Sequence, residues 1–102
     1  RDCLALRADL VMVENPEEHR YEIGDGEGGV LGLLEYAPGE EAVVLPHTEV
    51  DRSLQGRGWG GRLVRFALDD LRSKGAEVIP TCSFVLRWME LHPEYEEIRH
   101  RS

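Results

Sequence analysis

The sequence predicts a mixed α/β fold: an antiparallel meander, then one βαβ unit and a C-terminal helix. Three observations carry the prediction. Short apolar runs broken by turn residues fill the first half, helical periodicity takes over in the second, and a glycine-rich loop divides them. The 102 residues make one domain, 1–102, with room for a modest core but not for two. At 41% hydrophobic and 31% charged, without repeats, the composition is that of a globular chain.

The first strand is "ADLVMVE" (8–14), apolar and rich in β-formers. "NPEE" (15–18) follows as a turn or single helical turn, with Asn15 at the cap position and Pro16 behind it. "HRYEI" (19–23) alternates so that Tyr21 and Ile23 share a face. "GDGEGG" (24–29) is a hairpin-type loop before "VLGLLEYA" (30–37), and "PGEE" (38–41) turns into "AVVLPHTEV" (42–50). Three short connections in succession imply antiparallel neighbours. From Gly61 to Lys74, Val64, Ala67, Leu68 and Leu71 recur at helical spacing, Leu63 and Phe66 widen the stripe, and Gly75 is the C-terminal stop. "AEVIPTC" (76–82) is a short buried strand. "SFVLRWMEL" (83–91) is a second helix with Ser83 as its cap, core residues at Trp88 and Met89, and an end at "HPEY" (92–95). Strands 42–50 and 76–82 flank a helix and so run parallel.

Charge is unevenly spread. Residues 1–51 hold 3 basic and 13 acidic residues, 52–74 hold 6 and 2, and 75–102 hold 3 and 5. The glycine loop and the helix behind it are thus the positive island of a chain of net charge −8. Such a chain is a poor nucleic-acid binder, because that affinity comes from basic residues on phosphates. A local basic patch suits a small anionic ligand, or else it is a solvated, Arg-rich helix face.

Cys3 and Cys82 lie far apart, with Cys3 near a terminus expected to fray, so a disulfide framework is not expected. No Cys or His falls at ligand spacing: His47 and His92 are isolated, and His19 and His100 sit in charged surroundings, so no metal site is expected. A reduced, cytoplasmic setting follows. No run approaches the ~20 apolar residues of a membrane span. No charged-then-apolar leader is read either, and the start at Arg1 reads as a trimmed end.

The loop places glycines at 56, 58, 60 and 61. Gly56 and Gly61 have P-loop spacing, but Arg62 and Leu63 follow where Lys and a hydroxyl are needed. Gly56, Gly58 and Gly61 match G-x-G-x-x-G, yet that motif opens a series of parallel units with an acid at the end of the next strand; here Glu77 opens it. Gln55, Gly58 and Gly60 fit Q/R-x-x-G-x-G/A, in which successive N–H groups converge on a pyrophosphate at the helix's positive end. Arg57 and Arg62 add charge. The plain alternative is a turn whose glycines only permit tight packing.

Four segments in order, "HTEV" (47–50), "QGRGWGGRLVRFALDDLRSKG" (55–75), "VIPTCSFV" (78–85) and "HPEY" (92–95), resemble the GNAT acetyltransferase superfamily, and within it the very short, single-domain Yjdj-type N-acetyltransferases. They span about half the chain. The resemblance implies the acyl-CoA N-acyltransferase fold, with strands 42–50 and 76–82 splayed around a pantetheine arm and acetyl-CoA as the cofactor. It implies that the Val50 backbone bonds pantetheine, that Gln55, Gly56, Arg57, Gly58, Trp59, Gly60 and Gly61 surround the pyrophosphate, and that Cys82, Ser83 and Phe84 line the far side. Trp59 either shields the cofactor or anchors the loop on the core. Pro46 removes a ladder donor just before "HTEV", so a bulge or bend is expected there. The helical insertion that covers the acceptor side in longer members has no room here, which leaves an open acceptor site.

Transfer to an amine, whether a small molecule or a protein, needs a base. His47 and Glu49 share a strand face and either can take the proton; alternatively Glu49 pairs with a cation and His47 packs. Cys82, just before a helix N-terminus, can accept the acetyl group as a thioester, and the resembled family carries a cysteine there; the alternative is a small packing residue beside the cofactor. The reading is an acetyl-CoA-dependent N-acetyltransferase, with a non-catalytic CoA-binding module as the alternative. The acidic first half favours a cationic amine. An open sheet edge allows a monomer or a weak homodimer.

Overall fold

A computed structural model describes residues 10–100; the start of the first predicted strand, Arg1 and Cys3 lie outside them. Strands β1 (Val11–Asn15), β2 (Arg20–Gly24), β3 (Val30–Pro38) and β4 (Val43–Val50) are joined by short turns. They pair antiparallel in chain order, as the turn spacing predicts. Asn15 closes β1, and its side chain accepts from the Glu18 N–H at 3.3 Å, which ties the first turn. Asp25 does the same for the second hairpin, accepting from the Glu27 and Gly29 N–H groups at 2.8 and 2.9 Å. Helix α1 (Trp59–Ser73) then leads to β5 (Val78–Ile79), and helix α2 (Ser83–Leu91) to a 3-10 stretch, Pro93–Ile98. β5 pairs parallel with β4, which completes the βαβ unit.

Three boundaries differ from the sequence reading. α1 starts at Trp59, not Gly61, so Gly60 and Gly61 lie in its first turn. The helical stripe begins at Leu63, and glycines carry no apolar signal that would show the earlier start. β5 keeps only 78–79 of the predicted 76–82, since Pro80 has no N–H to extend the ladder. The cap of α2 is Cys82 rather than Ser83, which is already helical.

Both helices pack on one sheet face. Tyr21, Ile23, Leu34 and Leu45 from the sheet meet Leu63, Val64, Ala67, Leu68 and Leu71 of α1 and Val85, Trp88 and Met89 of α2 in one buried core. The opposite face carries Val11, Val13, Leu33, Glu35, His47 and Glu49, and among the described residues no helix covers it.

At its C-terminal end α1 is tied down by polar contacts. Tyr21 Oη donates to Asp70 at 2.7 Å and Tyr36 Oη to Glu14 at 2.6 Å, while Lys74 Nζ reaches both carboxylates at 2.8 Å. Tyr21 is fully buried, so its hydroxyl needs this partner. Tyr21→Phe removes one bond to a charged acceptor while Asp70 keeps Lys74; we expect a loss of about 1–2 kcal/mol in urea unfolding with an unchanged m-value. A loss below a few tenths would show that the bond does not hold the helix.

Candidate functional site

The site begins where β4 and β5 stop pairing. They are in register at Val43↔Val78 and Val44↔Ile79. Beyond Pro80 the ladder ends with the Cys82 N–H donating to Leu45 O at 2.9 Å, after which the chain turns into α2. β4 continues to Val50 along an edge that β5 no longer covers. Opposite Leu45 and Pro46 the β3–β4 register shifts between Glu35 and Ala37, so the bulge expected at Pro46 is present. After it, the Asp51 N–H turns inward to Leu31 O, and by alternation Thr48 and Val50 point their main-chain groups into the gap.

Cys82 lies at the foot of this gap. Its Sγ donates to Thr48 Oγ1 at 3.6 Å, and the amides of Val85, Phe84 and Thr48 are directed at the sulfur. Burial pushes the thiol up, but those hydrogen bonds outweigh it and leave it below its ordinary value.

The upper wall is the glycine loop. Asp51 caps a 3-10 turn, Arg52–Leu54, accepting from the Ser53 N–H at 2.9 Å and its hydroxyl at 2.6 Å; Leu54 anchors the turn in the core. Gln55 Nε2 donates to Val50 O at 3.1 Å and fixes the loop to the strand end. The glycines divide into two pairs. Gly56 and Gly58 have φ of +77° and +82°, and a Cβ on either would project into open space. Gly60 and Gly61 admit α2: a Cβ would stand 2.9 Å from Phe84 Cζ and 3.0 Å from Trp88 Nε1. The tight-packing alternative therefore holds for the second pair and not for the first.

Gly58 caps α1 without a side-chain bond, and Arg62 is the first residue whose N–H finds a carbonyl within the helix, Gly58 O at 3.1 Å. The N–H groups of Trp59, Gly60 and Gly61 are left at the positive end of a 15-residue helix with no acid in its first turn. A cleft of about 380 Å³ opens between this end and the strand gap.

Of the predicted cofactor residues, Val50, Gln55, Gly56, Gly58, Gly60, Gly61 and Phe84 line the cleft. Arg57, Trp59 and Ser83 do not, and neither does Cys82, which was expected beside Phe84 on the far side. Trp59 packs against the core with the Arg62 guanidinium 4.7 Å from its ring centre; of its two expected roles it takes the anchor. Arg57 is exposed in the loop, and Ser83 is exposed at the start of α2. Thr48 and Leu54 also line the cleft and were not singled out by the sequence. The alternation that puts His47 and Glu49 on one face puts Thr48 on the other, which is the signal that finds it.

His47 and Glu49 are together, Nε2 to Oε2 at 2.6 Å, on the sheet face away from Cys82. Both are largely exposed, so His47 is not a packing residue, and the group paired with Glu49 is His47 itself. The hydrogen bond to Glu49 raises His47 above its ordinary value. A hollow of about 150 Å³ beside them is lined by Leu31, Leu33, Glu49 and Asp51.

The model of the GCN5-related N-acetyl-transferase family matches residues 20–98. The chain belongs to the GCN5-related N-acetyltransferases. It is therefore an acyltransferase of a family that uses acetyl-CoA and amine acceptors. The fold is that of a GCN5-like protein from Staphylococcus aureus solved by NMR, with TM-score 0.72 and 24% identity over 93% of this chain and 92% of that one. AtaTR, crystallised with acetyl-CoA, matches at TM-score 0.50 and 27% identity over 71% of this chain and 55% of its own. No curated protein sequence matches significantly. Among the described residues no helix is long and apolar enough to cross a membrane.

The His47–Glu49 pair predicts a titration. Followed by NMR, His47 should lose its proton above the ordinary 6.5, and Glu49→Gln should bring the midpoint back down. Superimposable curves for the two proteins would refute the pairing.

Proposed function

We propose that this GNAT domain binds acetyl-CoA in the cleft between β4 and α1 and passes the acetyl group through Cys82 to a cationic amine. The single observation that carries the reading is the cradle at α1: outward N–H groups at a helix's positive end, behind two glycines whose missing Cβ atoms leave the approach open. Those groups suit a pyrophosphate, and the backbone of Val50, on the β4 edge that β5 no longer covers, suits the amide-bearing pantetheine arm. Arg57 has no hydrogen bond or ion pair among the described residues and is free to meet a phosphate.

Bound acetyl-CoA supplies an activated thioester carbonyl. Cys82 attacks that carbon; a new C–S bond forms as the bond to CoA breaks, and the departing thiolate takes up a proton. The amides of Val85, Phe84 and Thr48 favour the attacking thiolate form of Cys82. The amine nitrogen then bonds the same carbon, Cys82 leaves as thiolate, and the amine's proton passes to neutral His47, oriented by Glu49. In this reading the cofactor enters from the helix side, and the amine approaches from the open sheet face that carries His47 and Glu49. Glu35, Glu49 and Asp51 on or beside that face favour a cationic acceptor.

The test uses acetyl-CoA with and without amine. Without amine, the peptide containing Cys82 should gain the mass of one acetyl group. Cys82→Ala should lower turnover more than about a hundredfold. Near-normal turnover in Cys82→Ala would reject the thioester route. In the same assay a diamine should outpace a neutral-tailed amine of equal length, and equal rates would reject the cationic class.

A further inference from the structure

The gap holds a cleft-lining residue whose side chain has no part in the steps above. Thr48 stands across it from Cys82, on a strand whose inner side pairs with β3 and whose own amide here faces the sulfur. Its backbone is paired with Leu34, which is fully buried, so its place is set by the sheet rather than by the loop. The β-branched side chain has few rotamers, and its hydroxyl can both accept and donate. With Cys82 as a thiol, Sγ donates to Thr48 Oγ1 at 3.6 Å. With the proton gone, the hydroxyl rotates and donates to the sulfur from the same position.

We infer that Thr48 is the positioning residue of the transfer: it fixes the Cys82 sulfur at the foot of the gap and donates to it when it is the nucleophile. The inference rests on the reading of Cys82 as the first acetyl acceptor, but its test reads the sulfur itself. The groups that face the sulfur are dipoles: the Thr48 hydroxyl and amide from β4, and the Phe84 and Val85 amides from α2. On β4 the charged neighbours His47 and Glu49 lie on the other face, and on α2 Arg87 and Glu90 are exposed. The leading causes of the lowered thiol are these hydrogen bonds, not an ion. Loss of one of a few hydrogen bonds should therefore be measurable. Because the other donors named are backbone amides, the Thr48 hydroxyl is the one among them that a side-chain substitution removes.

The experiment is the pH dependence of Cys82 alkylation by iodoacetamide on the whole chain, with the Cys82 peptide followed by mass so that Cys3 does not interfere. Thr48→Val keeps the shape and removes the hydroxyl; its profile should move up by about one pH unit, with an alkylation rate about tenfold lower near neutrality. Thr48→Ser should restore the wild-type profile, and Thr48→Ala should repeat the shift if the valine variant folds poorly. Profiles for Thr48→Val and Thr48→Ala that superimpose on wild type overturn the inference. If Cys82→Ala keeps its turnover while the Thr48→Val shift is present, the thioester route fails and the hold of Thr48 on the sulfur stands.

Discussion

Everything at the site depends on how briefly β4 and β5 pair. Two residues of each strand are in register before Pro80 interrupts the donors, and the Cys82 N–H then closes the ladder on Leu45 O. Full pairing would consume the β4 edge, since buried strands satisfy their backbone groups. Here β5 leaves the edge at Thr48 and Val50 uncovered: the Thr48 amide turns to the Cys82 sulfur, Val50 O takes the Gln55 side chain, and the bulge at Leu45 and Pro46 faces those residues to the gap. The same divergence sets Cys82 at the N-terminus of α2, where amides converge on it. Pro46 within β4 and Pro80 just after β5 thus mark where the two strands part.

The helices keep that opening in shape. α1 must approach α2 closely while leaving its own first turn bare, and glycine serves both needs at different positions. Gly60 and Gly61 let Phe84 and Trp88 come against the backbone, and Gly56 and Gly58 carry the left-handed turns ahead of the helix. Arginines that read as a basic island have separate tasks. Arg62 covers Trp59, Arg65 lies over Trp88 and Tyr95, and Arg72 pairs with Asp69 and Glu97. These three arginines of the island are therefore scaffold, which leaves the helix end and Arg57 to meet an anion in the proposed reading.

The sheet was legible in the sequence because turn residues set its connections: Asn15, the glycines of 24–29 and Pro38-Gly39 each sit where one strand gives way to the next. The α1 stripe was legible because Val64, Ala67, Leu68 and Leu71 repeat at helical spacing and are all buried. Less was legible at the site. The first turn of α1 is glycine-rich and has no periodicity to announce it. The cap of α2 depends on Cys82 bonding back to Leu45, a contact 37 residues apart in sequence that no local pattern encodes. Thr48 was overlooked for a related reason, since its meaning comes from the partner across the gap. Ser83 and Trp59 sit at motif positions but do not line the cleft.

The central claim is that the bare end of α1, behind Gly56 and Gly58, receives the pyrophosphate of CoA. Calorimetric titration of acetyl-CoA into wild type, Gly58→Ala and Gly75→Ala tests it most directly. Gly58 and Gly75 share a positive φ, +82° and +74°, with open space around a new Cβ, so the two variants carry similar backbone strain of about 1–2 kcal/mol. Only Gly58 lines the cleft. The account predicts that wild type and Gly75→Ala bind alike and that Gly58→Ala loses at least about tenfold in affinity. Equal binding by all three, or no binding of acetyl-CoA by the wild type, would contradict it.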